Sequence, residues 1–184
     1  GNSQYYKDAL ALEPGYCAPF RLETIDVLAK AKEACPESSQ PYYYLGNLLY
    51  NIQPDNAMKE WEKCIEMNPN DDLAWRNLGW AHWLHTKNYP ESARCYKTAI
   101  AINPNAALYL EECDQVLEAM GAPVAERYEI LKSHHATAEK RYHPLSQEVV
   151  TGTYVGDYDY VLDLLDRCYF PTREGVANFH DNFV

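Results

Sequence analysis

The sequence predicts an all-α protein, a right-handed superhelix (solenoid) of antiparallel helix pairs. Two observations carry that prediction. Two long stretches match each other at seven positions, at the period of a helix pair. Within each stretch the apolar residues recur at helical spacing and the stretch ends in Asn-Pro-Asn, a helix stop.

The repeat can be read residue by residue. Tyr42, Leu45 and Gly46 recur as Trp75, Leu78 and Gly79, each 33 residues later. Ala57, Trp61, Cys64 and Pro69 recur as Ser92, Tyr96, Ala99 and Pro104, each 35 residues later. The two-residue difference belongs in the loop between the helices, where length can vary without moving packed faces. In the first helix of each pair, an aromatic, a leucine and a glycine build one apolar stripe. The glycine lacks a side chain, so the second helix can approach closely. In the second helix a small, a large and another small residue follow at spacings of four and three, giving a knob between two gaps.

Outward from this centre the pattern loosens. Leu110 and Gly121 fall where a third first-helix should start and stop, and its partner should run from Pro123 to about Ser133, burying Val124, Tyr128 and Leu131. Residues 134–143 read as an irregular connector. Pro144 suits the first turn of a further helix ending at Gly156. Asp157-Tyr158 should open its partner, with Val161, Leu164, Leu165 and Cys168 inward. Thr151-Gly152-Thr153 are poor helix formers and weaken this last pair. Upstream, Tyr6, Ala9, Pro14 and Leu28, Ala31, Pro36 copy the repeat's ending, but their prolines are too close for a full pair. Segments 3–13 and 20–35 therefore read as one irregular pair. The expected organisation is one array: an irregular first pair over 1–36, central repeats over 37–134, and a degenerate repeat with a truncated C-terminal helix over 135–184. Val176-Ala177-Asn178-Phe179 would begin that cut helix, expected to dock on its neighbours or mediate self-association.

These residues resemble the tetratricopeptide repeat (TPR), whose unit carries a Trp, Leu-Gly, Ala, Phe, Ala, Pro order. That resemblance implies a protein-interaction scaffold. The longer run from about Phe20 to Asp166 resembles the repeat region of long bacterial proteins that carry an uncharacterised mutarotase-like β-domain. It implies a binding segment of a larger bacterial protein. The alternative is an auxiliary segment of a carbohydrate-active protein, contributing to a sugar-binding site. Where that family has a His-Pro-Trp-Glu-Gly-like stretch, this chain has Phe170-Pro171-Thr172-Arg173-Glu174-Gly175, without the tryptophan.

Composition narrows the partners. A net charge of −11 repels phosphate backbones and anionic lipid, which argues against nucleic acid and membrane surfaces. No stretch approaches the length of a membrane span, and the Gly1-Asn2 start reads as that of an excised piece. Cys17, Cys35, Cys64, Cys95, Cys113 and Cys168 are widely spaced without a Cys-x-x-Cys pair, the pattern of free thiols in a reducing, cytoplasmic setting.

Candidate site residues lie on the first helices of successive pairs, which line the concave face of such an array. Tyr43, Asn47 and Tyr50 would meet Arg76, Trp80 and Trp83, and Glu111 and Gln115 would follow. Aromatic rings, a guanidinium and amides suit an extended peptide, another domain of the same polypeptide, or a sugar. The Lys and Asn set with which co-chaperone TPR domains clamp a C-terminal carboxylate is lacking, Arg76 and Asn77 being the only partial match, so that activity is not expected. His82 and His85 stand three apart on a helix, but His82 falls on a core position, so packing is expected there rather than metal binding. His134-His135 receive no role. The acidic pairs Glu111-Glu112, Asp157/Asp159 and Asp163/Asp166 read as solvated helix faces. No phosphate loop, nucleophile elbow or zinc-protease motif is present, so no catalytic residue, cofactor or metal is expected, and the segment by itself is not expected to be an enzyme.

Overall fold

A computed structural model describes residues 3–12 and 19–170. Cys17, Pro14 and the expected C-terminal helix at residues 176–179 lie outside the described residues. Within them every regular element is helical, which matches the all-α expectation. The chain divides between Asn88 and Tyr89 into two compact units.

In the first unit α1 (Ser3–Leu10) and α2 (Thr24–Ala34) pack on each other, α2 packs on α3 (Gln40–Leu49), and α3 lies along α4 (Pro54–Met67), which packs on α5 (Asp72–Ala81). Local signals set the helix ends. Pro41 and Pro54 occupy first-turn positions, where a missing N–H costs nothing. Asp71 caps α5 by accepting from the Ala74 N–H at 2.9 Å. Both Asn-Pro-Asn stops behave as expected: α4 ends before Asn68, and α6 (Tyr89–Ile102), first helix of the second unit, ends before Asn103. Gly46 is buried under Trp61, so close that a Cβ there would lie 2.4 Å from the indole Nε1. This is the close crossing the repeat pattern requires. The two extra residues of the second copy are absorbed after α5, where His82–Thr86 form a π-helical turn and Lys87 takes a left-handed conformation at φ 57°.

In the second unit α6 packs on α7 (Ala107–Ala119), and α8 (Val124–Ser133) packs mainly on α10 (Tyr142–Val155), which also carries α11 (Tyr158–Arg167). Gly121 and Gly156 end α7 and α10 in left-handed conformations, φ 70° and 83°. The next amides, Ala122 N–H and Asp157 N–H, return to the carbonyls of Leu117 and Gly152 at 2.9 and 3.0 Å. Gly152 is a second close crossing: a Cβ there would meet Val161 Cγ2 at 2.8 Å and Tyr128 at 3.0 Å. The residues that weakened the helix expectation are those the packing needs.

Three expectations are corrected. Val124 is exposed rather than buried, because it stands at the first position of α8, ahead of the turn where Arg127 and Tyr128 turn inward. The expected connector contains a helical turn, α9 (His135–Ala138), fixed by burial of Thr137 and Ala138 and by a 2.8 Å bond from Thr137 Oγ1 to the Pro104 carbonyl. Glu112 is only 4% exposed, not solvated, since the inward face of α7 is broad and runs from Tyr109 to Leu117. The described cysteines are free thiols and four of the five are buried.

Candidate functional site

The first unit places Tyr43 and Asn47 on α3, Tyr50 at the C-cap of α3, and Arg76 and Trp80 on α5, five of the expected groove residues. Asn47 is their node. Its Oδ1 accepts from Trp61 Nε1 on α4 at 3.0 Å and from Asn77 Nδ2 on α5 at 2.8 Å, joining three helices through one atom. Asn77 accepts in turn from Arg76 Nη1 at 3.2 Å, and the guanidinium lies 5.2 Å from the centroid of the Trp80 ring. Trp80 meets Trp83 edge to face at 5.7 Å, and Tyr50 lies 5.4 Å from Trp61.

The electrostatics follow from this packing. Burial raises the Tyr43 hydroxyl pKa above its ordinary value, against hydrogen bonds with Asn47 and Asn77 and the nearby Arg76 charge, which lower it. Tyr50 is raised by burial too, and Arg76 again opposes the shift. Both hydroxyls are neutral at physiological pH, and Arg76 is the cation of the face. Beneath it, burial and then the Asp71 carboxylate push the Cys64 thiol up to about 12, so Cys64 is an inert packing residue.

Glu111 and Gln115 lie on α7 of the second unit, both half-buried. Glu111 is held by Arg141 Nε at 2.6 Å, at the rim of a recess of about 340 Å³ shared with Lys140, Tyr142 and His143. His85 pairs with Asp55 at 2.7 Å and His82 reaches Thr86 at 3.2 Å, so the two imidazoles have separate partners.

Sequence reasoning missed the polar networks of the second unit. Arg127, 8% exposed, makes a bidentate pair with buried Asp114 at 2.8 and 2.9 Å and reaches Gln147 at 3.1 Å. Asp157 accepts from Tyr128 and Lys132, both at 2.6 Å. Glu148, fully buried, accepts from Tyr160 at 2.6 Å and lies 2.9 Å from His135 Nδ1. The available signal was an acid set within an apolar helical stripe, as at Asp114 between Cys113 and Val116.

This architecture is that of tetratricopeptide-repeat proteins. No family model matches the chain. Among solved structures it is similar to YrrB, described as a TPR protein with an unusual peptide-binding site, at TM-score 0.63 and 17% identity over 77% of this chain and 73% of that one. It is similar also to MamA (the RS-1 protein, a double mutant), at TM-score 0.63 and 14% identity over 90% and 92% of the two chains. PilF of Pseudomonas aeruginosa gives TM-score 0.63 and 18% identity over 90% of this chain and 76% of that one. At such identities the likeness defines the fold. No helix among the described residues is long and apolar enough to cross a membrane.

Proposed function

We propose that the chain is a protein-interaction scaffold whose first unit holds an extended peptide along the face of α3 and α5. The observation that carries this reading is the Arg76 guanidinium, stacked on Trp80 and steadied by Asn77 beside Tyr43 and Tyr50. A guanidinium over a ring brings a fixed positive charge to the face, which attracts a carboxylate, while the rings beside it offer apolar contact. A peptide with an acidic residue next to an apolar one meets both needs. The peptide-binding site named for YrrB supports a peptide as ligand class.

The test is selection of peptides from a displayed library by the intact chain, followed by affinity measurement on the Arg76→Ala/Trp80→Ala variant. Arg and Trp dominate many interfaces, and losing both should weaken binding at least a hundredfold, with the helical signal and melting temperature nearly unchanged. Unchanged affinity in a folded variant would remove the face from consideration.

A further inference from the structure

In the second unit α9, α10 and α11 gather a cluster that the binding face does not use. One ligand atom each from His135, Glu139 and Cys168 lies within 4.8 Å of the others. We propose that this cluster binds a thiophilic divalent cation, zinc above all, with His135, Glu139 and Cys168 as ligands and Glu148 as the group that orients the imidazole.

Glu148 is the strongest support. Its carboxylate is fully buried in α10, with one oxygen accepting from the Tyr160 hydroxyl at 2.6 Å and the other 2.9 Å from His135 Nδ1. A carboxylate there fixes the proton on Nδ1 and turns the Nε2 lone pair away from the core. A second contact assigns the same tautomer independently. Arg167 Nη2 lies 3.0 Å from Nε2, and a guanidinium can only donate. Nε2 therefore presents a lone pair, 3.4 Å from the Glu139 carboxylate. Two electron-rich atoms facing each other need a cation, and Arg167 supplies its charge at that point.

The donor set selects the metal. Imidazole nitrogen, carboxylate and thiol sulfur form a borderline-soft set that suits zinc and excludes calcium and magnesium, which take oxygen shells. Three protein ligands leave a fourth tetrahedral position for water. Bonds of about 2.0–2.3 Å place ligand atoms about 3.3–3.8 Å apart, so His135 and Glu139, at 3.4 Å, already fit, and Cys168 must close in by at most about 1.5 Å. Glu139 is exposed and Cys168 half-buried, which leaves them room to turn. Arg167 must swing out, and its 2.7 Å bond to Asp163 on the exposed side gives it a place to go. On binding, the Cys168 thiol releases its proton to solvent and bonds to the metal as thiolate.

The experiment is titration of the reduced full chain with cobalt(II), then displacement by zinc. The expected result is one bound equivalent per chain, a thiolate-to-cobalt charge-transfer band, and a melting temperature that zinc raises. Cys168→Ser should abolish the band, and Glu148→Gln should weaken binding about tenfold or more. Arg167→Ala, which removes the resident cation, should bind more tightly than the parent. That gain is a result no purely structural role for the cluster produces. Absence of the band from the folded parent, a band that survives in Cys168→Ser, or weaker binding by Arg167→Ala would each overturn the proposal.

Discussion

In the first unit the Trp61 indole lies over Gly46, and Leu45, Leu48, Leu49 and Met58 complete a mostly apolar joint between α3 and α4. In the second unit Val161 and Tyr128 lie over Gly152, but these helices together with α7 bury Asp114, Arg127, Glu148 and Thr151 nearby. Both joints use an absent side chain to let helices approach. They differ in what surrounds the glycine. An apolar joint depends on volume, whereas a polar one depends on every donor and acceptor being matched, because an unpaired charge in a dry interior is costly. The first unit can therefore leave its polar groups at the surface, where a partner can use them. The second commits many of its own to internal pairs.

The largest expected effect lies in the polar joint. Asp114→Ala removes the buried carboxylate that pairs with Arg127, leaving the guanidinium only Gln147 and the exposed Glu118, and should cost about 3 kcal/mol, measured by urea unfolding followed by circular dichroism. The double change Asp114→Leu/Arg127→Met should recover most of that loss. A double variant as unstable as the single one would mean the helix positions, not the pair, carry the stability.

Next come the glycines. Gly46→Leu should lose about 1–3 kcal/mol through overpacking against Trp61, despite a helix-propensity gain of about 1 kcal/mol. Gly152→Ala should also destabilise, because Val161 and Tyr128 must move. Tryptophans 61, 75, 80 and 83 all belong to the first unit, so fluorescence follows that unit while circular dichroism follows both. A Gly46→Leu variant more stable than the parent would show that the crossing is not tight.

A smaller effect is set by acid. Hydrogen bonds from Lys132 and Tyr128 hold the Asp157 carboxyl below its ordinary pKa. The native state therefore binds fewer protons than the unfolded state between the two values. The stabilisation is present above the ordinary carboxylate pKa of about 3.9 and is lost as pH falls through the depressed one. Asp157→Asn should flatten that part of the acid-unfolding profile, and a parent-like profile would leave the pair without a role. Smallest of all, Lys63→Ala and Lys97→Ala on the outer helices should change neither peptide binding nor melting temperature measurably.

The contrast between the joints also marks what the sequence could disclose. Gly46 was legible because Leu45, Trp61 and Pro69 recur around it at a fixed period, and Gly121 and Gly156 because a helix stop needs only local chemistry. Gly152 was not, since Thr151-Gly152-Thr153 reads locally as a weak helix and only Tyr128 and Val161, supplied by the fold, explain it. Asn47 was legible as a residue of the α3 face, but its bonds to Trp61 and Asn77 depend on how three helices meet. His135, Glu148 and Cys168 share no period or spacing, and packing alone unites them. A repeat pattern reports what recurs between pairs; these residues belong to one pair each.

The most direct measurement is tryptophan indole NMR during titration of the full chain with a selected acidic-apolar peptide. The face of α3 and α5 should move the Trp80 indole resonance and its neighbour Trp83, while Trp61, buried and bonded to Asn47, stays nearly still. Saturable shifts at Trp80 that vanish in Arg76→Ala are the expected result. Binding that leaves Trp80 and Trp83 unmoved would contradict the account.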